Sequence, residues 1–233
     1  MIYFNGVALE SVAPVMVEDI RIAPVQRTVT AADRPIMPGA QFVRVKDGGR
    51  SVVISFGIPT EDTDARQMAL EAVARWAGYR QEGRLVLPHK EGKFLSCICT
   101  QLPEPSMRQW WESRLSVTFT TFDNPYFTSV SERAVACGTQ LVTSGDAMPL
   151  MRITATLVNE SNDLTFSDGT NTMNFSGVPA GELEIDLNRQ TASVDGASIM
   201  EHYVFGSDFI VPHAGAMLIT GAGTVQWRER WIG

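Results

Sequence analysis

The run Thr224-Val225-Gln226-Trp227-Arg228-Glu229-Arg230-Trp231 ends a stretch, 148–233, that reads as one short β-strand after another. Alternation is clearest in Leu183-Glu184-Ile185-Asp186-Leu187, where apolar residues recur at every second position. A period of two puts one set of side chains on one face of a sheet and the rest on the other. Turn chemistry separates the runs at Ser167-Asp168-Gly169-Thr170, Asn188-Arg189 and Asp195-Gly196. Asp-Gly supplies the positive φ that a tight hairpin needs. Several strands at this spacing predict a β-sandwich. A sandwich without a catalytic constellation points to binding or assembly.

Upstream, Ile2-Tyr3-Phe4 before Asn5-Gly6 predicts a strand entering a hairpin turn, and 15–22 predicts another strand. The segment 28–39, with Pro35 and Pro38, predicts a long loop or arm. Residues 42–45 and 51–56 flank Asp47-Gly48-Gly49, a further hairpin signal. One α-helix is predicted over 62–76, capped by Thr60 or Asp62, with Glu61 and Asp64 at its positive end. Ala65, Met68, Ala69, Ala72, Val73 and Trp76 share one face at helical spacing, which predicts packing on a sheet, and Gly78 ends the helix. Residues 84–87, 93–99 and 115–122 continue the β pattern until Asp123-Asn124-Pro125 stops it. The Ser/Thr/Ala/Gly-rich stretch 128–146 holds the border, giving domains 1–135 and 136–233. The expected fold is mainly β (α+β): an N-terminal sheet or barrel-like domain with one helix, then a C-terminal β-sandwich.

Of the 233 residues, 44% are hydrophobic and 19% charged, so the chain can build true cores. The net charge of −7 and the absence of any basic run interleaved with aromatics argue against a phosphate-backbone partner. The start, Met1-Ile2-Tyr3-Phe4-Asn5-Gly6, lacks the basic and apolar regions of a signal peptide. No apolar run is long enough to span a bilayer, so no membrane partner is expected. Cys97, Cys99 and Cys137 are few and odd in number, which fits synthesis in a reducing cytoplasm. Cys97-Ile98-Cys99 lacks a second knuckle, and His89, His202 and His213 are scattered, so no metal or other cofactor is expected.

No phosphate loop, G-x-S-x-G or H-E-x-x-H motif is present. Gly221-Ala222-Gly223 reads as a hairpin turn, and the histidines read as structural or surface groups rather than general bases. Glu182, Glu184 and Asp186 share the solvated face opposite Leu183, Ile185 and Leu187. Trp227 and Trp231, with Tyr203 and Phe205, form a candidate platform for a sugar ring, weighed against an ordinary core role. Trp110 and Trp111 stand beside Arg108 and Arg114; adjacent strand residues point to opposite faces, so one tryptophan can pack inward while the other meets a neighbour. Together with Arg34 in the 28–39 segment, Trp110 and Trp111 are the candidate interface residues.

The order of these features resembles the distal tail protein (Dit) family of long-tailed, non-contractile bacteriophages. The resemblance runs over most of the chain. It is carried by Phe4-Asn5-Gly6, the 62–76 helix with Arg66 and Trp76, and the junction Phe122-Asp123-Asn124-Pro125-Tyr126-Phe127. It continues through Gly181-Glu182-Leu183-Glu184-Ile185-Asp186, Val194-Asp195-Gly196, Gly206-Ser207-Asp208-Phe209-Ile210, Pro212-His213-Ala214-Gly215 and the closing tryptophan-rich strand. The 28–39 segment departs from the family, carrying Asp33-Arg34-Pro35 and Pro38-Gly39 in place of a Pro-Gly-Arg-Asp-Gly-type loop.

The resemblance implies a non-enzymatic virion protein, from a phage or prophage, made in the bacterial cytoplasm. It implies a ring of six copies at the tail tip, built by the N-terminal domain, with a galectin-like or carbohydrate-module-like sandwich pointing outward. The implied partners are further copies of the chain, the tail tube protein, the tail-associated lysin or baseplate hub, and receptor-binding proteins. Two rival functions follow from the residues. One is an adhesin recognising host wall glycans through Trp227 and Trp231. The other is a wall hydrolase, for which the sequence offers no preferred pair of acids.

Overall fold

The computed structural model describes residues 1–33, 40–60, 62–103 and 115–233, with the side chains of 32–33 and 40–42 left aside. Arg34, Trp110 and Trp111 lie outside these residues. The architecture is mainly β. The chain divides into two compact units, Met1–Phe127 with Ile232–Gly233, and Thr128–Trp231.

The main sheet of the first unit is antiparallel, in the order Met16–Ile22, Ser51–Gly57, Leu115–Thr120, Lys93–Gln101. Lys93–Gln101 also pairs with Gly83–Val86, which pairs with Tyr3–Phe4, which pairs with Val7–Ala8. The last pair is the Asn5-Gly6 hairpin, with φ of 51° and 81° at its two turn residues. Register puts Val52 opposite Phe119, Ile54 opposite Val117 and Phe56 opposite Leu115, all buried on one face.

The helix Thr63–Ala77 lies over this unit's core. Asp62 is its cap, accepting from the Asp64 amide at 3.0 Å, while Thr60 Oγ1 instead accepts from the Asp62 amide. Its ring-bearing end joins Phe4, Trp76 and Phe119 in one cluster, with centroids 4.9 to 5.9 Å apart. The Trp76 indole donates to the Val7 carbonyl at 2.9 Å, satisfying the polar edge of a buried ring. The buried stripe is Ala69, Leu70, Val73, Trp76 and Ala77. Met68, expected on that face, is 63% exposed, and Leu70 and Ala77 take the inward positions. A one-turn helix, Leu9–Val12, also occurs where the sequence shows no helical period.

Two predictions in this unit need correction. The segment 28–39 is not a loop throughout, because Arg27–Asp33 pairs with Ala40–Asp47 as a two-stranded sheet. Asp47-Gly48-Gly49 is not a hairpin turn: Ser51–Gly57 pairs with Met16–Ile22 and Leu115–Thr120, not with the strand before it. Gly49 is needed for a different reason. A Cβ there would strike the Thr121 carbonyl, so the glycine lets two backbones approach.

The second unit is a sandwich. One layer runs Ala197–Ser198, Thr191–Val194, Gly181–Asp186, Ala147–Leu157, Thr224–Trp231, Arg133–Ala136, all antiparallel. The other layer is two strand pairs, Gln140–Val142 with Ala216–Leu218, and Asn162–Ser167 with Thr172–Val178, linked by a bridge from Ser167 to Thr220. Leu183, Ile185 and Leu187 face inward as their alternation predicts, meeting Phe166, Phe175 and Met173 in one apolar core. The Asp195-Gly196 hairpin forms with φ of 49° and 80°. Gly221-Ala222-Gly223 is a crossover between layers rather than a hairpin, since the strands beside it pair elsewhere. At Gly223, φ is +97° and a Cβ would strike the Thr154 carbonyl, so both conformation and space demand glycine.

Candidate assembly interface

The two-stranded sheet of Arg27–Asp33 and Ala40–Asp47 is an arm. Its base is tied by Arg27 Nε to Asp47 Oδ1 at 3.1 Å and by the Tyr126 hydroxyl donating to Asp47 Oδ2. Above the base, Val29 stands directly opposite Val45. Val29 is 61% exposed, Val43 53% and Val45 48%. A two-stranded ribbon is marginally stable in water by itself, and exposed valines add to the free energy left ungained. A ribbon of this kind offers an edge and an apolar face that a further strand or surface can pair or pack against. The 42–45 strand is expected from the sequence, but its partner strand Arg27–Asp33 is not, because Pro35 and Pro38 give 28–39 the chemistry of a loop. The alternation in Arg27-Thr28-Val29-Thr30, with two β-branched types, is the signal that marks the strand.

The face of the main sheet opposite the aromatic core mixes small hydroxyls with Val53 and Ile98. Ser51 pairs with Thr120, Val53 with Thr118 and Ser55 with Ser116. Thr100 Oγ1 and Thr120 Oγ1 lie 2.9 Å apart, and Ile98 pairs with Thr120 on the neighbouring strand. At the edge strand, Asp19 and Arg21 neutralise each other at 2.7 Å. This face offers short, half-buried, nearly uncharged side chains to whatever lies against it.

The predicted sugar platform is not assembled. Trp227 is 6% exposed and belongs to the sandwich core, packed with residues of both layers. Alternation placed Trp227 and Trp231 on one face, but that face points inward at Trp227, so its ring offers no stacking surface. Trp231 is half-buried. Tyr203 is held between Phe175 at 5.3 Å and Phe209 at 5.0 Å, and Phe205 alone stands in solvent at a turn. Tyr203 titrates above the ordinary phenol range, first through burial and then through the nearby Asp208 carboxylate.

Other candidate chemistry is dispersed. His89 lies in a turn, His202 in the short 3-10 segment Met200–His202 and His213 in an irregular stretch. Among the described residues no group of three or more His, Cys, Asp and Glu is placed to hold a metal. All three cysteines are free thiols. Cys97 is fully buried, and burial, with help from the Glu82 charge, pushes its thiol up to about 12. No helix among the described residues is long and apolar enough to cross a membrane.

No protein-family model matches the sequence, and no curated protein matches it either. The fold does have counterparts. The crystal structure of the Dit protein of phage SPP1, described as a paradigm of the hub adsorption apparatus in phages infecting Gram-positive hosts, superposes with a TM-score of 0.71. The two sequences are 12% identical, and the match covers 98% of each chain. Two structures of the phage p2 baseplate in its activated conformation, with strontium and with calcium, match at 6% and 8% identity. They cover 93% of this chain and 90% of theirs, with TM-scores of 0.47 and 0.44, too low to bear on the fold. At 12% identity the first match speaks for the fold and not for individual residues. Both units, in order and along nearly their whole length, have the fold of a siphophage distal tail protein.

Proposed function

We propose that the protein is a structural component of a phage or prophage tail tip, a ring-forming hub adaptor without catalytic activity. The observation that carries this reading is the 98% two-way coverage of the SPP1 distal tail protein fold, which spans both units rather than one common module. In this reading six copies close into a ring by head-to-tail contacts, one surface of each copy meeting a different surface of the next. The first unit, Met1–Phe127 with Ile232–Gly233, builds the ring, and Thr128–Trp231 faces outward. The exposed valines of the arm support the contact between copies. The hydroxyl-bearing, nearly uncharged sheet face supports a passage that neither attracts nor holds a polyanion.

The ring joins the tail tube protein on one side and the tail-associated lysin or baseplate hub on the other, with receptor-binding proteins attached outside. It is made in the host cytoplasm and carried in the virion. A sugar-binding role does not pass through Trp227, whose ring is in the core.

The test is the solution mass by light scattering, together with negative-stain images, alone and after mixing with the tail tube protein. Closed rings of about six copies with an open centre are expected in at least one of the two samples. A monomer in both sinks the ring reading.

A further inference from the structure

A cleft of about 620 Å³ opens at the end of the main sheet where Met16–Ile22 finishes and Ser51–Gly57 begins. All of its lining residues belong to the first unit. One wall is the run Ile22-Ala23-Pro24-Val25, which links the sheet edge to the arm and is apolar throughout. The floor is the buried Phe127 ring, with the Arg50 guanidinium and the Lys90 ammonium each 5.3 Å from its centroid. Arg27 adds a third cation, paired with Asp47 at 3.1 Å.

Three cations and no Asp or Glu side chain line this cleft, in a chain whose net charge is −7. Arg50 donates to the Ile232 carbonyl and Arg27 is paired with Asp47, but Lys90 has no carboxylate partner among the described residues. A half-buried ammonium has shed part of its hydration, so an anion set beside it gains more than it would at an open surface. A neutral ligand would leave that charge unanswered, and a long polyanion would meet the negative charge of the rest of the chain. The wall adds a second constraint. The Val25 N–H and the Pro24 and Val25 carbonyls take no hydrogen-bond partner among the described residues, although the strand before them and the ribbon after them are both paired. Open backbone donors and acceptors beside an apolar surface suit a peptide, which can pair with them, and give nothing to a free fatty acid, which cannot.

We propose that this cleft docks a segment of another protein chain that carries one glutamate or aspartate between apolar side chains. Its backbone pairs with Pro24 and Val25, its carboxylate lies beside Lys90, and its apolar side chains rest on Ile22 and Val25. Arg50 acts from behind, holding the Phe127 floor in place. The inference names the chemistry of a partner, which the assembly reading leaves open. The cleft is complete within one copy, so docking stands or falls separately from ring closure.

The experiment is amide NMR titration of the full chain with three probes: the blocked peptide acetyl-Val-Leu-Glu-Leu-Val-amide, the same peptide with glutamine in place of glutamate, and decanoate. The glutamate peptide is expected to shift the Val25 and Lys90 amides, and the glutamine peptide to bind about tenfold more weakly. Added salt should narrow that gap. Lys90→Gln should bring the glutamate peptide down to the level of the glutamine peptide, and thermal unfolding checks that the variant is folded. The comparison of the two peptides on the native chain tests the proposal even if the variant does not fold. The proposal is overturned if neither peptide binds, if both bind alike, if the shifted amides lie away from the cleft, or if folded Lys90→Gln keeps the preference. Binding of decanoate alone also overturns it and assigns the cleft to a free amphiphile.

Discussion

The two units treat the second face of a β-sheet in opposite ways. In Thr128–Trp231 the core face is covered by the chain's own second layer, and the outer face is cross-linked by Arg152, Glu132 and Glu184. In the first unit one face is covered by the helix and its aromatic cluster, while the other presents hydroxyls, and the arm exposes valines. Both units leave apolar side chains in water, Val29, Val43 and Val45 on the arm and Val142, Val158 and Phe205 on the sandwich. The difference is that Val29 stands directly opposite Val45 across one ribbon, while Val158 and Phe205 stand singly outside the strands. Paired apolar exposure on one element marks a candidate interaction region more sharply than single exposed residues do.

The largest test of this contrast is Phe119→Ala. The ring is fully buried between Phe4 and Trp76, so its loss should cost the first unit about 3–5 kcal/mol. Hydrogen exchange should rise across residues 1–127 while the sandwich keeps its protection. Equal loss of protection in both would show that the units fold as one and would break the comparison.

A smaller effect concerns Cys97. Its folded thiol titrates near 12 against an ordinary 9.0, so folded and unfolded states are both protonated below pH 9. Above that the unfolded thiol ionises first, and stability falls as pH rises from 9 toward 12. One unit into that window, at pH 10, the loss is about 1.4 kcal/mol. Urea titrations at pH 8 and pH 10 should therefore show a larger drop in the native protein than in Cys97→Ala. Identical drops would mean the thiol is not buried as described.

Asp62→Ala removes the helix cap and should cost about 1 kcal/mol, read by the same titration at pH 7. The smallest effect on stability should come from Val29→Ser with Val45→Ser, within about 0.5 kcal/mol, because both side chains already face water. The same pair should abolish rings in negative stain. Intact rings from that variant would show that the arm does not join copies.

Local turn and period chemistry was legible in the sequence. Asn5-Gly6 and Asp195-Gly196 form the hairpins their dipeptides require, and Thr224–Trp231 begins and ends where its alternation does. Pairing partners were not legible, because register and neighbour are set by burial across distant strands. Asp47-Gly48-Gly49 and Gly221-Ala222-Gly223 look like turns, yet both are places where backbones crowd. Trp227 shows a related limit: a period of two fixes which residues share a face, and not which face is buried. The ion-paired outer face of the sandwich was half visible, since Glu184 and Asp186 were placed on an outer face. Arg152, Gln226 and Glu132 come from other strands, and only the fold brings them alongside.

Arg50 carries one more consequence. The chain leaves the first unit after Phe127 and rejoins it at Ile232. Arg50, itself buried and fixed by two backbone bonds with Thr121, stacks 5.3 Å over the Phe127 ring and donates to the Ile232 carbonyl. One side chain thus grips both ends of the inserted sandwich. To the host domain the insert is a cassette with two plugs and one socket. A foreign domain spliced between those plugs should leave the exchange protection of residues 1–127 unaltered.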